Sequence, residues 1–255
     1  MAVRKRADLL LVEKGLVETR TRAQALILSG RVYSGESRVE KSGVLLDPDA
    51  PLSIKEALPY VSRGGLKLYS ALGHFGIDPN GYRCLDVGAS TGGFTDCLLQ
   101  AGAAEIFAVD VGYGQLDWKL RNDSRVTVME RTNFRNIRDD ALPHDLDLVV
   151  VDVSFISLRL ILPRVRTFMA KGASAVVLIK PQFEVGRGKV GKGGIVRDAG
   201  VREKTVRDLL GVAEEEGFTV LGTMESPIKG ASGNREYLAH LVWKGSPESR
   251  VQGPE

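Results

Sequence analysis

From residue 82 to residue 179 the chain alternates short apolar runs with segments of helical character, and no other feature restricts its fold as strongly. The apolar runs are 83–87, 106–111, 126–129, 146–153 and 173–179, and helical candidates lie around 93–101, 115–122 and 157–169. A strand without polar alternation is buried on both faces, and a helix between two such strands has to cross over. The pattern therefore predicts a doubly wound parallel sheet. Beyond it the character changes. Residues 199–216 place Val206, Leu209, Leu210 and Ala213 on one helix face. Two strand runs follow, 218–224 and 237–242, joined by a glycine-rich turn with no helix, which predicts a terminal antiparallel hairpin. The expected fold is α/β and Rossmann-like, with a mostly parallel seven-stranded sheet.

The N-terminal part follows another pattern. Residues 6–56 read as a compact α+β unit. Leu9, Leu10 and Val12 form one short helical stripe that Gly15 stops. Thr19 is placed to cap a second helix, in which Ala23, Leu26 and Ile27 share a face, and Val32 and Tyr33 then open a strand. Residues 1–70 carry 12 Lys and Arg against 8 Asp and Glu, while the rest carries 23 against 24. A basic module on a near-neutral body suits a polyanion. Arg20 and Arg22 stand at the start of the second helix, beside its free backbone N–H groups, where a phosphate would be favoured. Arg4, Lys5, Arg6 and Arg31 could extend that surface, and a solvated basic face is the plainer alternative. The expected organisation is a polyanion-binding unit over 1–58, a linker over 59–68 broken by Pro59 and the Gly64–Gly65 pair, the α/β domain over 69–246, and a disordered tail over 247–255.

Some classes of function find no support. The apolar run 9–12 is too short for a signal peptide, and no stretch approaches the ~20 apolar residues of a membrane helix. Cys84 and Cys97 lack metal-ligand spacing and read as reduced core thiols. The expectation is a cytoplasmic protein with no membrane partner, no metal and no obligate protein partner.

Residues 86–94, DVGASTGGF, close the first strand of the α/β domain and open a helix. Such a loop lets backbone approach a ligand at the carboxyl edge of the sheet. Nicotinamide and flavin enzymes use one too, but Asp86 would repel a diphosphate and could accept a hydrogen bond from the amino acid part of S-adenosylmethionine. Asp110, ending the second strand, is placed for ribose hydroxyls, which supports a nucleoside ligand without choosing one. Four further charged residues fall where strands or loops meet this site: Lys67 after the glycine pair, Asp152 after LVVV, Lys180 after AVVLI, and Glu236 after the last turn. Either strand-end residue alone could be a solvated cap. Their shared location beside the cofactor loop favours function. A lysine there could remove the proton of a poorly nucleophilic hydroxyl, or stabilise the alkoxide while still charged, with carboxylates holding the ammonium in place.

The run RADLLLVEKGLVETRTRAQALILSGRVYSG resembles the small RNA-binding domain shared by a small-subunit ribosomal protein, pseudouridine synthases and tyrosyl-tRNA synthetases. The set Lys67, Asp152, Lys180 and Glu236 resembles the K-D-K-E tetrad of FtsJ-type 2′-O-ribose methyltransferases. With SRGGLKL, DVGASTGGFTDCLLQ, VDVSFISL, KPQFE and SPIKGASGNREY, the resemblance narrows to the TlyA family, often labelled hemolysin A, and spans residues 4–244. It implies S-adenosylmethionine-dependent 2′-O-methylation of cytidine in ribosomal RNA, with ribosomal RNA or ribosomal subunits as partner. It also implies that Lys180 is the central catalytic group, oriented by Asp152 and Glu236 and assisted by Lys67. Gly88, Ser90, Gly92, Gly93 and Asp110 would line the cofactor site, with Asn133 and Asp152 near the adenine or methionine end. The segment 183–197, rich in glycine and basic residues, is expected to be a mobile loop over RNA phosphates. Three rivals stand beside this reading. A membrane-active hemolysin would need a spanning or amphipathic membrane segment. A non-catalytic RNA-binding protein would not need the tetrad. A base-amine methyltransferase would carry Asn/Asp-Pro-Pro-aromatic where this chain has VDVSF.

Overall fold

The computed structural model describes residues 3–245 except Ser29, Glu56, Ala57, Arg187, Lys189, Lys192, Ala231 and Ser232, so the tail expected over 247–255 lies outside the described residues. The chain divides into two units, Met1–Leu58 and Pro59–Glu255.

The first unit comprises β1 (Lys5–Arg6), α1 (Ala7–Glu13), α2 (Arg20–Leu28), β2 (Val32–Ser34), β3 (Ser37–Arg38), β4 (Leu45–Leu46) and β5 (Leu52–Ile54). β1 pairs antiparallel with β4, and β2 lies between β3 and β5. α1 and α2 bury Ala7, Leu11, Ala23, Leu26 and Ile27 against Val32 and Val39. Thr19 caps α2 as its sequence position suggests, its Oγ1 accepting from Arg22 N at 3.2 Å.

The second unit comprises α3 (Gly64–Phe75), β6 (Arg83–Val87), α4 (Gly93–Gln100), β7 (Glu105–Val109), α5 (Trp118–Arg121), β8 (Val126–Met129), β9 (Leu146–Val151), α6 (Leu162–Val165), β10 (Met169–Ile179), α7 (Pro181–Glu184), α8 (Ala199–Glu215), β11 (Phe218–Glu225) and β12 (Tyr237–Trp243). Seven strands form one sheet in the order β11-β12-β10-β9-β6-β7-β8. The five from β10 to β8 are parallel, and β12 and β11 add the antiparallel hairpin. From β6 the chain builds outward first through β7 and β8, then back through β9 and β10. The order thus reverses between β6 and β9, where a crevice opens at the strands' carboxyl ends. Alternate residues of the central strands feed two cores. Val149, Val151 and Val177 face α8 and its neighbours, while Leu148, Val150 and Val176 face α3 and α4.

Three local expectations change. Residues 59–68 are not a plain linker, because 64–68 are the first turns of α3, with Gly65, Lys67 and Leu68 buried. The glycine pair reads as a breaker in the sequence, yet it stands at a helix start, where Gly65 makes room for the Tyr60 side chain. The candidate helix 157–169 breaks into a 3-10 turn at Leu158–Leu160, α6 and a second turn at Arg166–Phe168. Its last residue, Met169, already belongs to β10, which starts four residues before the expected run.

Candidate active site

The crevice beside β6 and β9 holds a cavity of about 370 Å³ whose walls include Gly88, Ser90, Asp110, Asn133, Asp152 and Phe155. Gly88 has φ 88°, and a Cβ there would stand 2.7 Å from the Asp152 carbonyl oxygen, so only glycine lets the two strand ends approach this closely. Asp110 is fixed by backbone donors: Ser90 N at 2.8 Å on Oδ2 and Gly112 N at 2.6 Å on Oδ1. Asn133 caps the turn Phe134–Asn136 through Arg135 N. Asp110 and Asp152 are both at the cavity, and among the described residues no Lys or Arg lines it. Asp152 already engages the Lys180 ammonium and Asp110 is held by backbone donors, so the acidic rim disfavours a diphosphate and suits a ligand that carries hydroxyls and positive charge. Apolar walls from Val109, Phe134, Val153 and Ile161 suit an aromatic base. The residues present therefore fit S-adenosylmethionine better than a dinucleotide.

Three residues expected in that lining lie behind it. Asp86 is fully buried, with Oδ2 accepting from Thr95 N at 2.9 Å and Thr95 Oγ1 at 2.7 Å, and with no partner on Oδ1. It ties the end of β6 to the first turn of α4 and does not reach the cavity. Burial pushes its carboxyl up to about 7, against the Thr95 hydrogen bonds that favour the ionised form. A Cβ on Gly92, whose φ is 94°, would stand 2.8 Å from Leu116, and one on Gly93 2.8 Å from Gly65 N, so the left-handed backbone and the close packing at the start of α4 both call for glycine here.

The four charged residues form two pairs. Lys180 Nζ lies 2.5 Å from Asp152 Oδ1 and donates to Ser154 Oγ at 2.8 Å. Lys67 Nζ donates to Glu236 Oε2 at 2.6 Å. Lys67, Lys180 and Glu236 are buried. The sheet brings the pairs together: Val151 is paired with Val177, and Ile179 with Tyr237, so Asp152, Lys180 and Glu236 sit just past the ends of three adjacent strands. Lys67 reaches Glu236 from the first turns of α3. Ser154 and Phe155 are members of the site that sequence reasoning missed. Phe155 has φ 64°, is 90% exposed and stands with its ring centroid 5.0 Å from that of Phe183. The one signal for them was their position directly after Asp152.

The described part of 183–197 is more structured than the expected mobile loop. Glu184 accepts from Ser157 Oγ at 2.6 Å and Leu158 N at 2.8 Å, and Val196 N donates to Asn234 Oδ1 at 3.0 Å. The segment's Arg187, Lys189 and Lys192 lie outside the described residues.

The five arginines expected to meet RNA separate. Arg6 and Arg20 both engage the buried Asp8, at 3.0 and 2.9 Å, and Gln24 Nε2 joins them at 2.9 Å. The Arg6 guanidinium, more than burial opposes, holds the Asp8 carboxyl well below the usual carboxylate range. Arg20 is thus partly committed to the fold, which corrects the expectation that it and Arg22 form one phosphate site. Arg22 instead shares a cleft with Thr19 and Arg31, whose Nε donates to Lys55 O at 2.9 Å. Arg4 is exposed.

The sequence model of the FtsJ-like methyltransferase family matches residues 60–243, and that of the S4 domain matches residues 5–51. A protein of Bacillus subtilis, YqxC, provisionally described as an rRNA methyltransferase, is 50% identical over 99% of this chain and 90% of its own length. The 16S/23S rRNA (cytidine-2′-O)-methyltransferase TlyA of Mycobacterium tuberculosis is 46% identical over 94% of this chain and 91% of its own. A solved structure from Streptococcus thermophilus, provisionally described as a hemolysin, is 44% identical, covers 98% of this chain and 92% of its own, and superposes with a TM-score of 0.74.

Proposed function

The chain belongs to the FtsJ-like methyltransferase family, with an S4 domain ahead of the catalytic one, and from that premise we propose that it methylates the ribose 2′-hydroxyl of cytidine in ribosomal RNA. The observation that carries the mechanism is the pair Lys180–Asp152 at neighbouring strand ends, joined by Glu236 at the next strand end with Lys67 reaching it from α3, beside a cavity rimmed by Asp110 and Asp152.

S-adenosylmethionine, when bound, supplies a methyl group already activated on a sulfonium. Asp110 would hold its ribose, Gly88 and Ser90 its approach to the backbone, and Asn133 and Asp152 its ends. The protein's remaining task is the acceptor oxygen, which has to be aligned and relieved of its proton. Lys180 is the group for that task. Asp152 and Ser154 fix its Nζ from two sides, so it meets the incoming hydroxyl in one orientation. It takes the hydroxyl proton or, held charged by Asp152, stabilises the oxygen as negative charge develops. Lys67 and Glu236 form the second pair at the same edge and keep a positive charge and its counter-charge beside the reacting oxygen. Phe155, exposed on the rim, offers a face on which a base can stack.

Affinity for RNA is assigned to the first unit, where Arg4, Arg22 and Arg31 present charge and Arg6 and Arg20 add their half-exposed guanidiniums. Ribosomal RNA as substrate implies work in the cytoplasm. Among the described residues no helix is long and apolar enough to cross a membrane, so a helical pore has no counterpart here. Lysis of red cells by detergent-free protein would favour the hemolysin reading. Mass-spectrometric mapping of ribose methylation in ribosomal RNA, with and without this protein, tests the proposal. A cytidine 2′-O-methyl group that appears only with the protein supports it, and an unchanged map contradicts it.

A further inference from the structure

Glu236 is held from two sides. Its Oε2 accepts from Lys67 at 2.6 Å. Its Oε1 lies against the backbone of Gly230, where a Cβ would overlap that oxygen and stand 2.9 Å from the carboxyl carbon. Gly230 is not among the residues with positive φ, so its backbone does not demand glycine; the neighbouring carboxylate does. The described residues of the turn that places Gly230 are clamped in several places. Ser226 N donates to Glu236 O at 2.8 Å, and Gly230 N to Asn234 O at 2.9 Å. Arg63 Nη2 donates to Lys229 O at 2.9 Å. The side chain of Asn234, 2% exposed, accepts from Val196 N at 3.0 Å and donates to Gly194 O at 2.8 Å. With the turn clamped, the carboxylate has no room on the Gly230 side and rests on Lys67.

We propose that Gly230 is a positioning residue for methyl transfer: its bare backbone sets the Glu236 carboxylate against Lys67, and Asn234 locks the turn that holds it there. The proposal rests on the tetrad reading of Glu236. An added methyl group at Gly230 pushes the carboxylate off its place. A misplacement of about 1 Å in a reacting site costs up to about 10²-fold in rate.

The test is a double-mutant cycle read by single-turnover methyl transfer at saturating cofactor and RNA. The four proteins are wild type, Gly230→Ala, Glu236→Asp and the double variant, with S-adenosylhomocysteine affinity as the check on folding. Glu236→Asp is shorter by one methylene and vacates the space that the new methyl needs. Gly230→Ala is expected to lower the rate about 10- to 100-fold beside Glu236, with KM for RNA unchanged, and by less than about twofold once Glu236→Asp is present, because contacting residues couple. The same loss in both backgrounds, or no loss, would overturn the proposal while leaving the tetrad intact. A wild-type rate in Glu236→Asp and in a fifth protein, Glu236→Gln, would remove the tetrad role, and the proposal with it. If Gly230→Ala does not fold, Asn234→Ala, which loosens the turn without adding a methyl, goes through the same cycle: its loss of rate should shrink once Glu236→Asp has shortened the carboxylate that the turn positions, and an equal loss in both backgrounds, or none, would overturn the proposal.

Discussion

Replacing Asp86 by Asn should make the cofactor-free protein more stable, by an amount that grows with pH. Asp86 is completely buried, has one oxygen without a partner and is pushed up to about 7. In the unfolded chain the same carboxyl ionises in the ordinary range near pH 4. Below that range both states carry the proton and the group makes no difference. Between about pH 4 and 7 the unfolded chain has lost a proton that the folded protein keeps, so stability falls as pH rises. Above about 7 both are ionised and the cost is constant. At about 1.4 kcal/mol per pH unit, the full cost is about 4 kcal/mol, of which about 3 kcal/mol accrues between pH 5 and 8. An asparagine keeps the shape and can still accept from Thr95 N, but it never ionises. Urea unfolding of wild type and Asp86→Asn across pH 5–8 isolates the effect, because every other titrating group is common to both. The Asn variant should gain on wild type as pH rises and level off above 7. A difference that stays flat with pH, or that grows in favour of wild type, would refute the burial argument.

Asp110→Ala should weaken S-adenosylhomocysteine binding by about 1–3 kcal/mol, since the carboxylate lines the cavity, and calorimetry reads it directly. Deleting residues 1–58 should leave cofactor affinity unchanged and weaken RNA binding severely, as the two units are separately compact. Binding of RNA by the intact protein should also fall steeply with salt, because phosphate contacts release counterions. A filter-binding series from 50 to about 200 mM salt distinguishes this from salt-independent recognition.

The sheet was legible in the sequence because its strands are buried on both faces and so stand out as unbroken apolar runs, from 83–87 to 173–179. The hairpin was legible because 225–237 offers a turn and nothing helical. The helix α3 was not, since Gly64 and Gly65 mask its start, and only the packing of Tyr60 explains Gly65. The charged residues at strand ends could be found because the topology of a doubly wound sheet fixes where strand ends meet. Their pairing could not, because which lysine meets which carboxylate depends on strand order, and the sequence does not contain it. The same limit hid the roles of Asp86 and Arg20. Each looks like a surface charge aimed at a ligand; Asp86 is in fact buried against Thr95, and Arg20, though half-exposed, is tied to the buried Asp8.

The most direct test of the account is single-turnover methyl transfer by Lys180→Ala with saturating RNA and cofactor. Lys180 Nζ is held by Asp152 and Ser154 at the cavity edge, so its loss removes the group that meets the acceptor oxygen. The rate should drop on the order of 10²–10⁴-fold with cofactor and RNA affinities nearly unchanged. Lys180→Arg should not restore it, since a planar guanidinium neither gives up its proton nor fits between those two partners. A folded Lys180→Ala protein that binds both substrates and transfers methyl at the wild-type rate would contradict the mechanism proposed for this site.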